Sequence, residues 1–125
     1  WREAVRLLRG LGRLGITPDL MAYSSVIKAY SNAGLTAEAA AWLGSMEASA
    51  ISPDVIVYNT LIHACARAGQ VDQAERWLAE LLRTRLRPSV VSYGSVIDAC
   101  ARGGRASEAA TWLRRMEEEG LQPNE

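Results

Sequence analysis

The chain has 125 residues, of which 49% are hydrophobic and 22% are charged, a composition typical of a folded globular protein. Its 14 Lys and Arg residues balance 14 Asp and Glu residues, which argues against a strongly basic protein that binds nucleic acid without selectivity. No apolar run approaches the roughly 18 residues that cross a bilayer, and two cysteines are too few for the disulfide framework of a small secreted domain.

The sequence repeats itself every 35 residues. The four prolines set the register, at Pro18, Pro53, Pro88 and Pro123. Seven further columns are identical in three consecutive units, and in the first of these units they are Tyr23, Ile27, Ala29, Gly34, Ala39, Trp42 and Leu43. A period of this length indicates stacked copies of one supersecondary unit.

In chain order, the register predicts a partial repeat followed by three complete ones. The boundaries are 1–19 for a second helix and turn, 20–54, 55–89 and 90–124 for the complete repeats, and 125 for the start of a further repeat. No polar capping unit of the kind that closes a solenoid is recognisable. We therefore interpret the chain as a window from a longer array.

Each complete repeat is predicted to contain two helices separated at its glycine. In the second repeat, apolar residues at steps of three and four define a buried stripe on the first helix at Tyr58, Leu61, Ile62 and Cys65. The second helix has the same spacing at Ala74, Trp77, Leu78 and Leu81, so the recurrent Trp is predicted to be a core residue. The second helices are expected to begin at N-caps formed by Thr36, Asp72 and Ser107, with Glu75 completing a capping box.

These residues resemble the pentatricopeptide repeat family, whose unit begins V-x-Y-N-T-L-I and ends G-I-x-P-D. The second repeat matches best, through residues 55–62, the Ala68-Gly69 hinge and residues 71–74. The resemblance implies an all-α fold, a right-handed α-solenoid of tandem helix-turn-helix repeats in an α–α superhelix. It also implies selective binding of single-stranded RNA at one base per repeat, in mitochondrial or chloroplast RNA processing, stability or translation.

In this family, the base is read by the residue after the recurrent Tyr together with the residue after the closing Pro. The resemblance therefore pairs Ser24 with Asp54 for G, Asn59 with Ser89 for C, and Gly94 with Asn124 for a weakly specified base that leans to A. The resemblance also implies that aliphatic residues near the start of each first helix sandwich the bases. These residues are Met21, Ile56 and Val91. Further along these helices, the cations that would meet phosphates are Lys28, Arg67 and Arg102.

Several of these residues also have a purely structural interpretation. Residues after the prolines, such as Asp54 and Ser89, are good N-cap types, so capping and base reading are both open. The three cations fit a solvated helix face equally well. Cys65 and Cys100 fall on the buried stripe, which favours small core residues over metal ligands or a redox pair.

The sequence suggests no enzyme, cofactor or metal site. It contains no nucleophile with a base, no phosphate-binding glycine loop and no Cys-x-x-Cys, and His63 is its single histidine. Two binding functions remain, with RNA as the leading partner. The alternative is a protein-binding helical scaffold, such as a structural subunit of a ribosome or another large complex.

Overall fold

The computed structural model describes Arg6 and residues 20–121. Residues 20–121 contain six α-helices, each 13 residues long, and no strand. The helices are α1 (Leu20–Asn32), α2 (Thr36–Ala48), α3 (Val55–Arg67), α4 (Val71–Arg83), α5 (Val90–Arg102) and α6 (Ala106–Glu118). Within this part of the chain, no helix has the length and apolarity needed to cross a bilayer. The predicted partial repeat lies outside the described residues except for Arg6, which is helical and exposed.

The observed helices keep the 35-residue period of the sequence: the first helices begin at Leu20, Val55 and Val90. The chain divides into two compact units, one ending at Leu61 and the other beginning at Ile62, so that the division falls within α3. In the first unit α1 packs on α2, and in the second unit α5 packs on both α4 and α6.

A left-handed glycine separates the two helices of each repeat. Gly34, Gly69 and Gly104 have φ of 77°, 74° and 76°, a region that costs other L-residues about 1–2 kcal/mol. The following residue closes the turn by donating its N–H to a carbonyl five residues back, as in the 2.9 Å bond from Leu35 to Tyr30. This hydrogen-bond pattern ends a helix abruptly and explains why the glycines recur.

The predicted N-caps of the second helices are wrong. These helices follow Leu35, Gln70 and Arg105, none of which makes a side-chain capping bond. The helix starts directly after the glycine turn, so Asp72 is already its second residue. Asp72 instead forms an ion pair with Arg105 at the start of α6.

The first unit has its core between the facing sides of α1 and α2. Val26 and Ile27 of α1 and Leu43 and Met46 of α2 are almost fully buried. Each such side chain contributes about 1.5–3 kcal/mol of hydrophobic stabilisation. Next to them, the Tyr23 hydroxyl lies 3.1 Å from Ser49 Oγ, which gives that partly buried phenol a polar partner.

The second unit is built on the same columns. Leu78 and Leu81 of α4, Tyr93 and Val96 of α5, and Met116 of α6 are buried. The apolar stripes predicted from the sequence are confirmed, because every member is buried apart from Trp77, which is half-buried.

The prediction that the recurrent tryptophans are core residues is therefore wrong. Trp42, Trp77 and Trp112 are all half-buried. The Trp42 ring lies 6.3 Å from the Tyr23 ring, and the Trp112 indole N–H donates to Glu75 Oε2 at 2.7 Å. A half-buried position lets the apolar part of the indole pack while its N–H reaches a polar partner.

Candidate nucleic-acid interface

Large aliphatic side chains are exposed at the second residue of each first helix. Met21, Ile56 and Val91 are 76%, 66% and 55% exposed. Single exposed apolar residues are ordinary in folded proteins. Their recurrence at one position in three repeats distinguishes these residues, and residues that sandwich bases, as predicted for these three, would have to be exposed.

Three residues further along, each first helix carries a small, half-buried residue on the same face. These are Ser24, Asn59 and Gly94, the predicted base readers of the first helices. At Gly94 an added Cβ would meet no atom within 4 Å, so the third repeat has open space where the first two have polar groups.

The predicted readers that follow the prolines cap the first helices. Asp54 Oδ1 accepts a 3.0 Å hydrogen bond from the Val57 N–H. Ser89 and Ser92 form a reciprocal capping box in which the Ser89 N–H donates to Ser92 Oγ at 3.0 Å. The capping interpretation is therefore confirmed for both residues. A carboxylate accepts about four hydrogen bonds, so capping does not exhaust Asp54.

The three predicted base-reading pairs differ in which compact units their two members belong to. Ser24 and Asp54 both lie in the first unit, whereas Asn59 and Ser89 belong to different units. Asn124, the predicted partner of Gly94, lies outside the described residues.

Two of the three cations predicted to contact phosphates line the same pocket in the second unit. Arg67 and Arg102 are the last residues of α3 and α5, and they line a pocket of about 160 Å³ together with small residues such as Gly69 and Ala99. Arg102 also forms a 2.7 Å ion pair with Asp98, at a position where both side chains are exposed. Exposed pairs of this kind contribute only about 0.2–1 kcal/mol. Lys28 is exposed on α1, in the first unit.

The second unit contains a polar cluster that the sequence patterns do not predict. Ligating atoms of Glu75, Cys100 and Glu108 lie within 4.8 Å of one another, a donor set that metal ions can use. Here the Arg105 guanidinium supplies the positive charge, at 3.5 Å from Glu75 and 3.6 Å from Glu108. Glu75 comes from α4 and Arg105 precedes α6, and no local sequence pattern joins residues so far apart.

The acid–base properties of this cluster favour a structural role. Burial, reinforced by the Glu75 and Glu108 carboxylates, raises the pKa of the Cys100 thiol to about 11. A hydrogen bond with Glu75 raises the pKa of Glu108, while a hydrogen bond with Arg105 lowers the pKa of Asp72. Because the thiolate is the nucleophilic form of cysteine, the raised pKa makes Cys100 a poor nucleophile at neutral pH.

Three family profiles match the chain. They are described as a pentatricopeptide repeat domain over residues 6–65, a PPR repeat family over residues 53–102, and a PPR repeat over residues 91–121. No curated protein sequence matches the chain.

Solved structures of similar fold cover almost the whole chain. The maize pentatricopeptide repeat protein PPR10 is 29% identical, with a TM-score of 0.90, over 99% of this chain and 18% of its own length. PPR10 in complex with an 18-nt psaJ RNA element is 33% identical, with a TM-score of 0.84, over 98% of this chain and 18% of its own. The PPR domain of Arabidopsis thaliana protein-only RNase P 1, in complex with tRNA, is 14% identical, with a TM-score of 0.84, over 97% of this chain and 63% of its own, which shows the shared fold alone.

These similarities confirm the expected all-α helical-repeat solenoid fold. The family profiles together span residues 6–121. The chain belongs to the pentatricopeptide repeat family.

Proposed function

We propose that the chain binds single-stranded RNA and that each complete repeat reads one base. The observation that carries this proposal is the pairing, on every first helix, of an exposed aliphatic residue with a small residue three positions later. Met21 with Ser24 and Ile56 with Asn59 show it most clearly. An aliphatic side chain packs on the face of an unstacked base while a short polar side chain reaches its Watson–Crick edge.

The relatives support this choice of partner. PPR10 has been crystallised with an 18-nt RNA element. The alignment with PPR10 covers 98% of the present chain, at 33% identity. Since the chain spans only 18% of PPR10, we carry over the class of ligand as a proposal. Roles in mitochondrial or chloroplast RNA processing, stability or translation belong to the same proposal.

The proposed bases follow from the chemistry of each pair. Ser24 with Asp54 selects G, because a carboxylate that already caps a helix through Oδ1 still has lone pairs for guanine N–H groups. Asn59 with Ser89 selects C. Gly94 offers no side chain and faces open space, so its repeat selects weakly.

We further propose that this segment binds RNA without acting on it chemically. The raised pKa of Cys100, about 11, keeps the thiol protonated at neutral pH. Arg105 contacts the carboxylates of Glu75 and Glu108, which supports a structural use of that cluster.

The proposal is tested by fluorescence anisotropy with labelled single-stranded RNA that contains a G–C step, at several salt concentrations. We expect binding that weakens linearly on a log–log scale as salt rises. We also expect single-stranded RNA of the same sequence to compete better than a scrambled strand or a duplex. Binding that is absent at low salt, or indifferent to both salt and sequence, would contradict the proposal and favour the scaffold interpretation.

A further inference from the structure

The end of α4 and the segment that follows it carry three arginines at alternate positions. Arg83, Arg85 and Arg87 are exposed, whereas the intervening Thr84, Leu86 and Pro88 are half-buried. No acidic residue interrupts residues 83–89. We call Arg83, Arg85 and Arg87 the arginine strip.

The arginine strip occurs only in the second repeat. The first repeat has Ala48, Ala50 and Ser52 in the same columns, and the third has Glu118, Gly120 and Gln122. The strip is therefore no part of the repeat framework, and neither the core nor the turns of the other repeats require it.

The backbone conformation just after the second helix also differs between the second repeat and the other two. Ala50 and Gly120 adopt left-handed φ of 62° and 80°, whereas Arg85, in the same column, does not. At Thr84 the chain becomes extended, with ψ of 175°. The Thr84 hydroxyl donates to the Leu81 carbonyl at 2.6 Å and accepts from the Leu86 N–H at 3.1 Å, which holds the segment in place.

The charges of the strip are largely uncompensated. Arg83 pairs with Glu80 at 3.3 Å on the exposed side of α4. Among the described residues, no ion pair forms at Arg85 or Arg87. By contrast, Arg102 and Arg105 in the same unit contact carboxylates.

We propose that the arginine strip binds phosphate groups of the RNA strand beside the second reading position, an inference that rests on the proposed function. Arg87 precedes Ser89 by two residues, so their Cα atoms lie within about 7.6 Å. Guanidinium groups bind phosphate oxygens in a bidentate fork. Phosphate contacts fix position and register without reading sequence. The strip thus anchors the backbone of the nucleotide whose base Asn59 and Ser89 select.

The test compares two double variants that remove equal charge. Arg85→Gln with Arg87→Gln alters the strip. Glutamine is chosen because Gln122 occupies the column of Arg87 in the third repeat. The control, Arg76→Gln with Arg114→Gln, alters exposed arginines on the second helices α4 and α6. Binding of the same labelled single-stranded RNA is measured as a function of salt for the wild type and both variants, with melting temperatures to confirm folding.

We expect the strip variant to reduce the slope of log K against log salt by about 1.4, because each lost phosphate contact on a single strand contributes about 0.7. The preference for C over U opposite Asn59 and Ser89 should stay unchanged, and the control variant should keep the wild-type slope. Three results would refute phosphate binding by the strip while leaving RNA binding by the wild type intact. They are an unchanged slope in the strip variant, an equal fall of the slope in both variants, and an altered C-to-U ratio. A wild-type chain that binds no RNA would overturn the proposed function as well.

Discussion

At the residue scale, the indole N–H of Trp112 connects two neighbouring repeats of the second unit. It donates to Glu75 Oε2 at 2.7 Å, across 37 positions of the chain. Trp112→Phe keeps an aromatic ring but removes the donor, and we expect it to lower the free energy of unfolding by about 1.5 kcal/mol, as for other hydrogen bonds to charged groups. Urea unfolding measures this loss. Trp42→Phe serves as the control, and an equal loss in both variants would show that ring size alone matters.

The buried thiol of Cys100 makes stability depend on pH. Its folded-state pKa is raised to about 11, chiefly by burial, whereas an unfolded thiol titrates near about 8.5. As pH rises between these values, the unfolded state loses its proton first, so the folded state loses stability. Urea unfolding at pH 7 and pH 10 should show a larger loss for the wild type than for Cys100→Ala. The same loss in both proteins would refute this origin of the pH dependence.

Recurrent columns predict which residues are buried better than which residues contact one another. Tyr58, Ile62 and Leu78 repeat identically and are buried as expected. The contacts of Arg105 with Asp72 and Glu75 span 33 and 30 positions and join columns that differ between repeats. No periodicity in the sequence reveals such pairs. The partial exposure of the tryptophans was missed for a related reason, because helical spacing shows which face a residue occupies and not the depth of its side chain.

At the scale of the element, an alanine just beyond the end of α2 adopts a backbone region that suits glycine. Ala50 has φ of 62°, and Gly120 has φ of 80° in the same column of the third repeat. Because the left-handed region costs an L-residue about 1–2 kcal/mol and the greater flexibility of unfolded glycine offsets part of that, Ala50→Gly should stabilise the chain by about 0.5–1 kcal/mol. Gly120→Ala should destabilise it by a similar amount. Thermal unfolding of both variants measures this, and changes of the same sign would contradict the explanation.

The bounds of the helices follow from local signals, which is why the sequence predicts them well at glycine and proline. The glycine turns end α1, α3 and α5 in all three repeats. The starts of α3 and α5 follow Asp54 and Ser89, as expected for N-cap residues. The N-caps that the sequence predicts for the second helices lie too far along the chain, because a polar residue in the first turn of a helix resembles an N-cap in sequence alone.

At the scale of the whole molecule, the central claim is that each base is chosen by two residues of one repeat, the residue after the recurrent Tyr and the residue after the closing Pro. Ser89→Asp tests it with little structural cost, because Asp is as good an N-cap as Ser and Asp54 caps α3 in the same column. A hydroxyl can donate or accept, whereas an ionised carboxylate only accepts. The variant should therefore favour uracil, whose N3–H is a donor, over cytosine. Ser107→Asp adds the same charge at an exposed position near the start of α6 and serves as the control.

The most direct measurement is competition between RNAs that differ only at the base opposite Asn59 and Ser89, with these three repeats placed in a longer array of known register. Stacking contributes about 1–3 kcal/mol per base, so the flanking repeats hold the RNA in one register while a single base is varied. We predict that the wild type and Ser107→Asp prefer C and that Ser89→Asp shifts the preference toward U. An unchanged C-to-U ratio in Ser89→Asp would contradict the assignment of Asn59 and Ser89 as a base-reading pair.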